Sequence, residues 1–94
     1  MNYYALLYYY APDYMERRPQ FRSQHLALAQ AAHARSDLLM GGAFDPPDLA
    51  LIVFRVADAA IIEEFVRNDP YVLNGLVVRW EIRPWTVVIG NPAG

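Results

Sequence analysis

The sequence contains no cysteine, and its eight basic residues are all arginine, scattered along the chain rather than clustered. The absence of cysteine excludes disulfides, thiolate metal sites and cysteine nucleophiles, and it fits a reducing compartment. Nucleic-acid binding needs a basic patch or stripe that neutralises phosphates. Because the arginines are scattered and the formal net charge is −2, we expect no nucleic-acid partner.

Long apolar runs are also missing from the sequence. No stretch approaches the roughly 20 apolar residues that span a bilayer, so we expect no membrane partner. The first residues, Met1 to Tyr4, show neither a basic region before an apolar run nor a cleavage-type signal. The sequence therefore predicts a cytoplasmic protein.

Apolar side chains are present in excess. Of the 94 residues, 55% are hydrophobic and 14% are aromatic, which is above the usual share for a soluble domain. A chain of this length is expected to form a single domain, residues 1–94, whose core is marginal because small domains bury less of their surface. A subunit interface would bury the surplus, which favours an oligomer.

Four segments have the composition of β-strands. The first and third are apolar at both alternating sets of positions, apart from Arg55, which predicts burial on both faces. The second contains Gly41 and Gly42, which indicate a bulge or a close approach of the backbone to another group. The fourth alternates more cleanly and is interrupted by Pro84. The predicted strands are 3–10, 38–43, 49–56 and 76–88.

Two segments are predicted to be helices. The first, Arg17 to Ala34, has apolar residues at helical spacing and an alanine-rich second half. Because Pro19 suits the first turn of a helix, this helix is predicted to begin near Arg18.

The second helix is predicted to follow Asp58 as N-cap and to run to about Arg67. Asn68-Asp69-Pro70 ends it, and Tyr71 to Gly75 is interpreted as a short connection to the last strand.

The resulting order, β-α-β-β-α-β, predicts a ferredoxin-like α+β fold with an antiparallel sheet and two helices on one face. Two of the strands are nevertheless apolar on both faces. The uncovered face is therefore predicted to pack against a second copy of the chain, as an isologous homodimer.

His25, on the inner side of the first helix, is the strongest candidate for chemistry. A neutral imidazole can accept or donate a proton near neutral pH, and a carboxylate on its other nitrogen fixes its tautomer and orientation. Asp69 is the proposed carboxylate, and Asp37, just after the first helix, is the alternative. The competing interpretation is a partly buried histidine, with Asp69 only capping the broken helix or shaping the Asp-Pro turn.

Arg22 lies one helical turn before His25, so both side chains project to one side of the helix. Arg22 can bind a carboxylate or phenolate of a small molecule through charge-assisted bonds, or it can simply pair with a surface acid. Tyr71 follows Asp69 and can present its hydroxyl to the same pocket. The tyrosines at 8 to 10 can stack on an aromatic ligand, although tyrosines on a buried strand are more often found in the core or an interface. No metal site and no cofactor are predicted, since only two histidines are present and phosphate-loop and dinucleotide motifs are absent.

Five motifs in order resemble one known family: Tyr3-Tyr4-Ala5-Leu6-Leu7-Tyr8, Arg22-Ser23-Gln24-His25-Leu26, Leu39-Met40-Gly41-Gly42-Ala43, Asn68-Asp69-Pro70-Tyr71-Val72 and Arg83-Pro84-Trp85. No single motif is specific, but the ordered set resembles the YCII-related (YciI-like) family, a branch of the dimeric α+β barrel proteins. The resemblance implies a dimeric α+β barrel with a pocket between sheet and helices and a His–Asp pair. A relative in this family catalyses dehydrochlorination of a chlorinated hydroquinone.

Two hypotheses follow for function. The first is a small cofactor-independent enzyme that performs acid/base chemistry as a lyase, isomerase or dehydrochlorinase on an aromatic or enolisable molecule. His25 and Asp69 are then the catalytic residues, and Arg22, Tyr71 and Gly42 contact the substrate. The second is a non-catalytic dimeric domain that binds a small ligand or is purely structural. An open cavity beside a bonded His25–Asp69 pair favours the first hypothesis.

Overall fold

Four strands and three helices make up residues 1–90, the part of the chain that the computed structural model describes. In chain order they are β1 (Asn2–Tyr10), α1 (Tyr14–Ala34), β2 (Leu38–Ala43), β3 (Leu49–Val56), α2 (Ala60–Asn68), α3 (Pro70–Leu73) and β4 (Val77–Pro84).

The strands form one antiparallel sheet in the order β2-β3-β1-β4. β1 is central: Leu6 pairs with Ile52 of β3 on one side and with Ile82 of β4 on the other. The register between β2 and β3 shifts between Leu38 and Met40, just before the glycine pair that predicted an irregularity. This order and the intervening helices confirm the predicted ferredoxin-like α+β fold.

The two faces of the sheet differ in burial. Leu6 and Tyr8 of β1 are fully buried against the helices, whereas the alternate residues Leu7 and Tyr9 are only half-buried. The sequence pattern did not distinguish the two faces of β1; the structure shows that Tyr4, Leu6 and Tyr8 face the helices. The core contains β1 (Tyr4, Leu6, Tyr8), β3 (Ala50, Ile52, Phe54, Val56), α1 (Tyr14, Ala32) and α2 (Ile62, Phe65, Val66).

The first helix begins at Tyr14, so the prediction that it begins near Arg18 is wrong. Packing holds the additional turn: the Tyr14 ring is buried and stacks on Tyr10, with ring centroids 3.7 Å apart. Pro19 therefore lies beyond the first turn, where its missing N–H leaves one helical carbonyl without its usual partner. Tertiary contact has overridden the local preference of proline for the helix start.

Pro70–Leu73 forms the short helix α3 where the sequence was interpreted as a connection. Asp69 is its N-cap, with the extended backbone (ψ 120°) that a residue before proline favours, and its side chain accepts a hydrogen bond from the Tyr71 N–H. Pro70 occupies a first-turn position, where a missing N–H is tolerated. The end of α2 and the start of α3 therefore both hold Asp69: its N–H bonds the Val66 carbonyl, and its carboxylate accepts from the Tyr71 N–H.

Two other boundaries also differ from the predictions. β4 ends at Pro84 rather than Val88, because proline cannot donate to the ladder, although the Trp85 N–H still bonds the Tyr3 carbonyl at 3.0 Å. Asp58 lies one residue before the α2 N-cap position, and its side chain accepts from the Ala60 N–H at 2.8 Å. No helix within residues 1–90 is long and apolar enough to cross a membrane.

Candidate active site

His25 and Asp69 are hydrogen-bonded, although they lie 44 positions apart in the sequence. The His25 Nδ1 lies 2.9 Å from Asp69 Oδ1 and 3.0 Å from Oδ2. The alternative partner, Asp37, instead pairs with Arg35 at 3.3 Å. The structure therefore places Asp69, and not Asp37, beside the histidine.

Asp69 is completely buried and accepts two further hydrogen bonds. The Tyr8 hydroxyl donates to Oδ2 at 2.8 Å, and the Tyr71 N–H donates to Oδ1 at 3.0 Å. Burial, and then the charge of Asp69, raises the pKa of Tyr8, so this hydroxyl keeps its proton and acts as donor. A carboxylate that accepts from all its neighbours favours the tautomer in which His25 Nδ1 carries the proton and Nε2 does not.

We expect Tyr8→Phe to lower the free energy of unfolding by about 1.5–3 kcal/mol, because it removes a buried hydrogen bond to a charged group. In a domain of this size that loss lowers Tm by roughly 10 °C, which calorimetry can measure. Tyr4→Phe is the matched control, since Tyr4 lies on the same face of β1 and its hydroxyl forms no hydrogen bond within residues 1–90. Equal melting temperatures for the two variants would contradict a stabilising Tyr8–Asp69 bond.

Tyr71 packs directly on the histidine. The two rings stack with centroids 3.9 Å apart and an interplanar angle of 7°. The Tyr71 hydroxyl is buried; Tyr14 and Arg22 lie close to it, but neither forms a hydrogen bond of normal geometry with it. Burial raises the pKa of Tyr71 to about 12; Tyr14 adds to the rise and Arg22 opposes it. Tyr71 therefore fixes the plane of the imidazole and retains its proton at neutral pH.

A cavity of about 270 Å³ opens beside this group between α1 and the sheet. It is smaller than the 300–1,000 Å³ that is typical of sites for drug-sized ligands, so it suits a small molecule. Its lining residues come from β1 (Tyr10), α1 (Tyr14, Arg18, Arg22, His25, Leu26, Ala29), β2 (Leu38, Gly41, Gly42, Ala43), β3 (Ala50, Ile52) and α3 (Tyr71).

The glycine pair contributes to this cavity in two ways. A Cβ on Gly41 would lie 3.2 Å from the Ile52 side chain, so a larger residue would crowd the cavity wall. A Cβ on Gly42 would meet nothing within 4 Å. Gly42, which was predicted to contact the substrate, lies on the cavity wall with open space beside it.

Two arginines place positive charge on the cavity wall. Arg18 and Arg22 both line it, and neither forms an ion pair within residues 1–90. By contrast, three other arginines pair with acidic side chains: Arg17 with Asp13, Arg35 with Asp37 and Arg67 with Glu64. Unpaired guanidinium groups beside a partly buried imidazole favour an anionic ligand.

Several site residues were missed by the sequence analysis. Tyr8 was not predicted to contact Asp69, yet its hydroxyl donates a hydrogen bond to that carboxylate. Arg18 lies four residues before Arg22 and seven before His25, so the helical spacing already placed all three on one face. Tyr14 gave no usable signal, because its stacking on Tyr10 depends on the path of the chain between β1 and α1.

The family model of the YCII-related domain matches residues 2–86. The chain belongs to the YCII-related family. This confirms the resemblance that the ordered motifs indicated. Nothing among the curated proteins matches the chain.

Solved structures with the same fold extend this comparison. The YCII-related chain is similar to TftG, 5-chloro-2-hydroxyhydroquinone dehydrochlorinase from Burkholderia phenoliruptrix AC1100, solved in complex with 2,5-dihydroxybenzoquinone. The TM-score is 0.79 at 18% identity, with 95% of this chain and 98% of that chain covered.

Two further structures are less similar to the YCII-related chain. Protein Atu4242 from Agrobacterium tumefaciens has a TM-score of 0.62 at 12% identity, with 98% of both chains covered. A NIPSNAP-like domain protein from Burkholderia xenovorans has a TM-score of 0.60 at 17% identity, with 96% of this chain and 87% of that chain covered. At these identities the comparisons establish the shared fold.

Proposed function

We propose that this protein is a cofactor-independent enzyme of the YciI-like type that performs acid/base chemistry on a small aromatic or enolisable molecule. The observation that carries the proposal is the His25–Asp69 bond at the wall of a cavity. The bond occupies Nδ1, and no group within residues 1–90 bonds Nε2, which leaves that nitrogen available to a ligand.

In the proposed reaction, the Nε2 of His25 takes a proton from a ring hydroxyl or from a carbon next to a carbonyl. The buried carboxylate of Asp69 then stabilises the imidazolium, and the nearby guanidinium of Arg22 stabilises the negative charge of the substrate. The electron pair released by deprotonation forms a C=O or C=C bond. In an elimination the leaving group departs with the pair of its own bond, and in an isomerisation the proton returns to another atom. Neither route needs an oxidant or a reductant.

The structural similarity to TftG supports the choice of substrate class. TftG is named for action on a chlorinated hydroxyhydroquinone and was solved with a dihydroxybenzoquinone. A dehydrochlorination of such a ring requires a base that takes the hydroxyl protons, the return of one proton to the ring carbon that carries chlorine, and departure of chloride with the electron pair of the C–Cl bond, all in a cavity for a single ring. The cavity here has that size, and its aromatic walls suit a flat ring.

The experiment that tests the proposal is a ligand screen followed by turnover assays. Small phenols, halogenated quinols, lactones and keto acids are screened by thermal shift, and each hit is then assayed for chemical conversion. Conversion of at least one hydroxylated ring or enolisable compound is the expected result. Hits that bind without any conversion would favour the alternative, a non-catalytic ligand-binding dimer in which Asp69 mainly caps α3.

The role of Asp69 has its own prediction. In alkaline buffer, where a histidine ring is neutral, ¹⁵N NMR is expected to find the His25 proton on Nδ1. Asp69→Asn is expected to shift the ring toward the Nε2–H tautomer, because an amide cannot accept from Tyr8, Tyr71 and Nδ1 together. His33, whose Nδ1 lies 2.8 Å from the Leu38 carbonyl, serves as an internal control that the substitution leaves unchanged. An unaltered His25 tautomer would contradict the positioning role of Asp69.

We also propose that the protein is a homodimer formed through the open face of the sheet. That face carries half-buried or exposed apolar side chains from three strands: Tyr3, Ala5, Leu7 and Tyr9 from β1, Leu51 from β3, and Met40 from β2. Near the β4 edge it becomes polar, where the Tyr9 hydroxyl bonds Glu81 at 2.7 Å and Arg79 lies over the Tyr9 ring. An apolar centre with a polar rim is the usual anatomy of a subunit interface.

A further inference from the structure

Two buried polar groups on the cavity wall have no hydrogen-bond partner within residues 1–90. They are the hydroxyl of Tyr71, a residue only 1% exposed, and the Nε of Arg18. Few buried polar groups in folded proteins lack a partner, and each one that does needs an explanation. Because both groups can donate and both residues line the same cavity, a ligand that supplies acceptor oxygens would satisfy them.

The positions of these groups divide the cavity into two ends. Arg18, Arg22 and His25 follow each other at spacings of four and three residues on one face of α1. Arg18 and His25 are thus separated by about 10 Å along the helix axis. Tyr71 connects the two ends, since its ring stacks on His25 while its hydroxyl lies close to Arg22. Proton transfer and anion binding therefore have separate places in one small cavity.

We propose that the substrate is a hydroxylated aromatic carboxylate whose carboxylate group binds Arg18, Arg22 and the Tyr71 hydroxyl, while its ring hydroxyl faces His25. This inference rests on the proposed function for the identity of the reacting group. A carboxylate matches the planar fork of a guanidinium and can accept from several donors at once. It can also lie in the plane of its ring, so that the ring packs on tyrosine faces while both oxygens reach the arginines.

The test compares two ligands that differ only in charge, 2,5-dihydroxybenzoate and 2,5-dihydroxybenzamide. Isothermal titration calorimetry at low salt is expected to show the wild type binding the benzoate at least tenfold more tightly than the amide. Arg18→Gln and Arg22→Gln are each expected to remove most of that preference. Tyr71→Phe, which keeps the ring against His25, is expected to reduce it several-fold.

Arg67→Gln is the matched control, because it removes the same charge from an exposed residue of α2 that lies outside the cavity. It should leave the preference unchanged. Circular dichroism melts identify any variant that fails to fold, and the remaining variants then decide the outcome. Equal binding of the two ligands by the wild type, binding of neither, or a full preference in every folded cavity variant would overturn the carboxylate proposal.

The same assay separates this inference from the proposed function. His25→Gln should retain the preference for the benzoate, since it changes the other end of the cavity. A strong preference that depends on Arg18, together with no conversion of any hydroxylated ring, would uphold the carboxylate site and reject the enzyme. Turnover of uncharged quinols, with no preference for the benzoate over the amide, would uphold the enzyme and reject the carboxylate site.

Discussion

His25→Gln is expected to reduce turnover of a substrate by about a hundredfold to ten-thousandfold while leaving the protein folded, because it removes the only group proposed to transfer the proton. Glutamine keeps much of the side-chain length and can still donate an amide hydrogen to Asp69, so the buried carboxylate retains a partner. Steady-state kinetics should place the loss mainly in kcat, since the ring acts in the transition state.

His33→Gln is the control for this substitution. His33 lies near the end of the same helix, is exposed, and bonds only the Leu38 carbonyl within residues 1–90. Its loss should leave kcat unchanged. If both variants lose activity equally, the cause is a change in α1 and not in the chemistry. If neither loses activity, His25 is not the base.

Leu51→Asp is expected to dissociate the proposed homodimer. Leu51 lies on the open face of β3, opposite Leu7 of β1 and Gly42 of β2. An aspartate there would place an unpaired charge in the apolar centre of the interface, a cost of several kcal/mol. Dimer dissociation should therefore become easier by about a hundredfold or more, which sedimentation or light scattering over a concentration series can measure.

Two further substitutions show whether this effect belongs to the open face. Leu73→Asp makes the same change on α3, where the side chain is 68% exposed, and should leave the assembly intact. Ile52→Asp changes the next residue of β3, which faces the core and the cavity, and should unfold the chain instead. A wild type that is monomeric and well folded at micromolar concentration would refute the dimer.

The proposed dimer also bears on stability. Val53 is almost fully buried within the single chain, yet it is absent from the cluster of core residues on the helix side. Its neighbours across the sheet are Ala5 and Met40, and Met40 is 69% exposed. A second copy would cover this surface and add the burial that a 94-residue domain lacks by itself. Unfolding of the protein is then expected to depend on its concentration.

The sequence by itself determined the kind and order of the main elements. Alternation and apolar runs placed four strands and two helices, and their order predicted the ferredoxin-like sheet. These signals are local, because they depend on the spacing of side chains along one segment. Where distant contacts prevailed, the local signal failed: Tyr14 lengthened α1 by stacking on Tyr10, and Asp69 created α3 as its N-cap.

The components of the candidate site were visible in the sequence, but their arrangement was not. His25 stood out by its chemistry, and both Asp37 and Asp69 remained open as its partner. Only the tertiary structure decided for Asp69, because the β-α-β-β-α-β path returns the end of α2 to the inner face of α1. The same packing buried the Tyr8 hydroxyl against that carboxylate and left Arg18 without an acidic partner among residues 1–90. Hydrogen bonds between distant segments need a direction and a distance, which spacing along the chain does not supply.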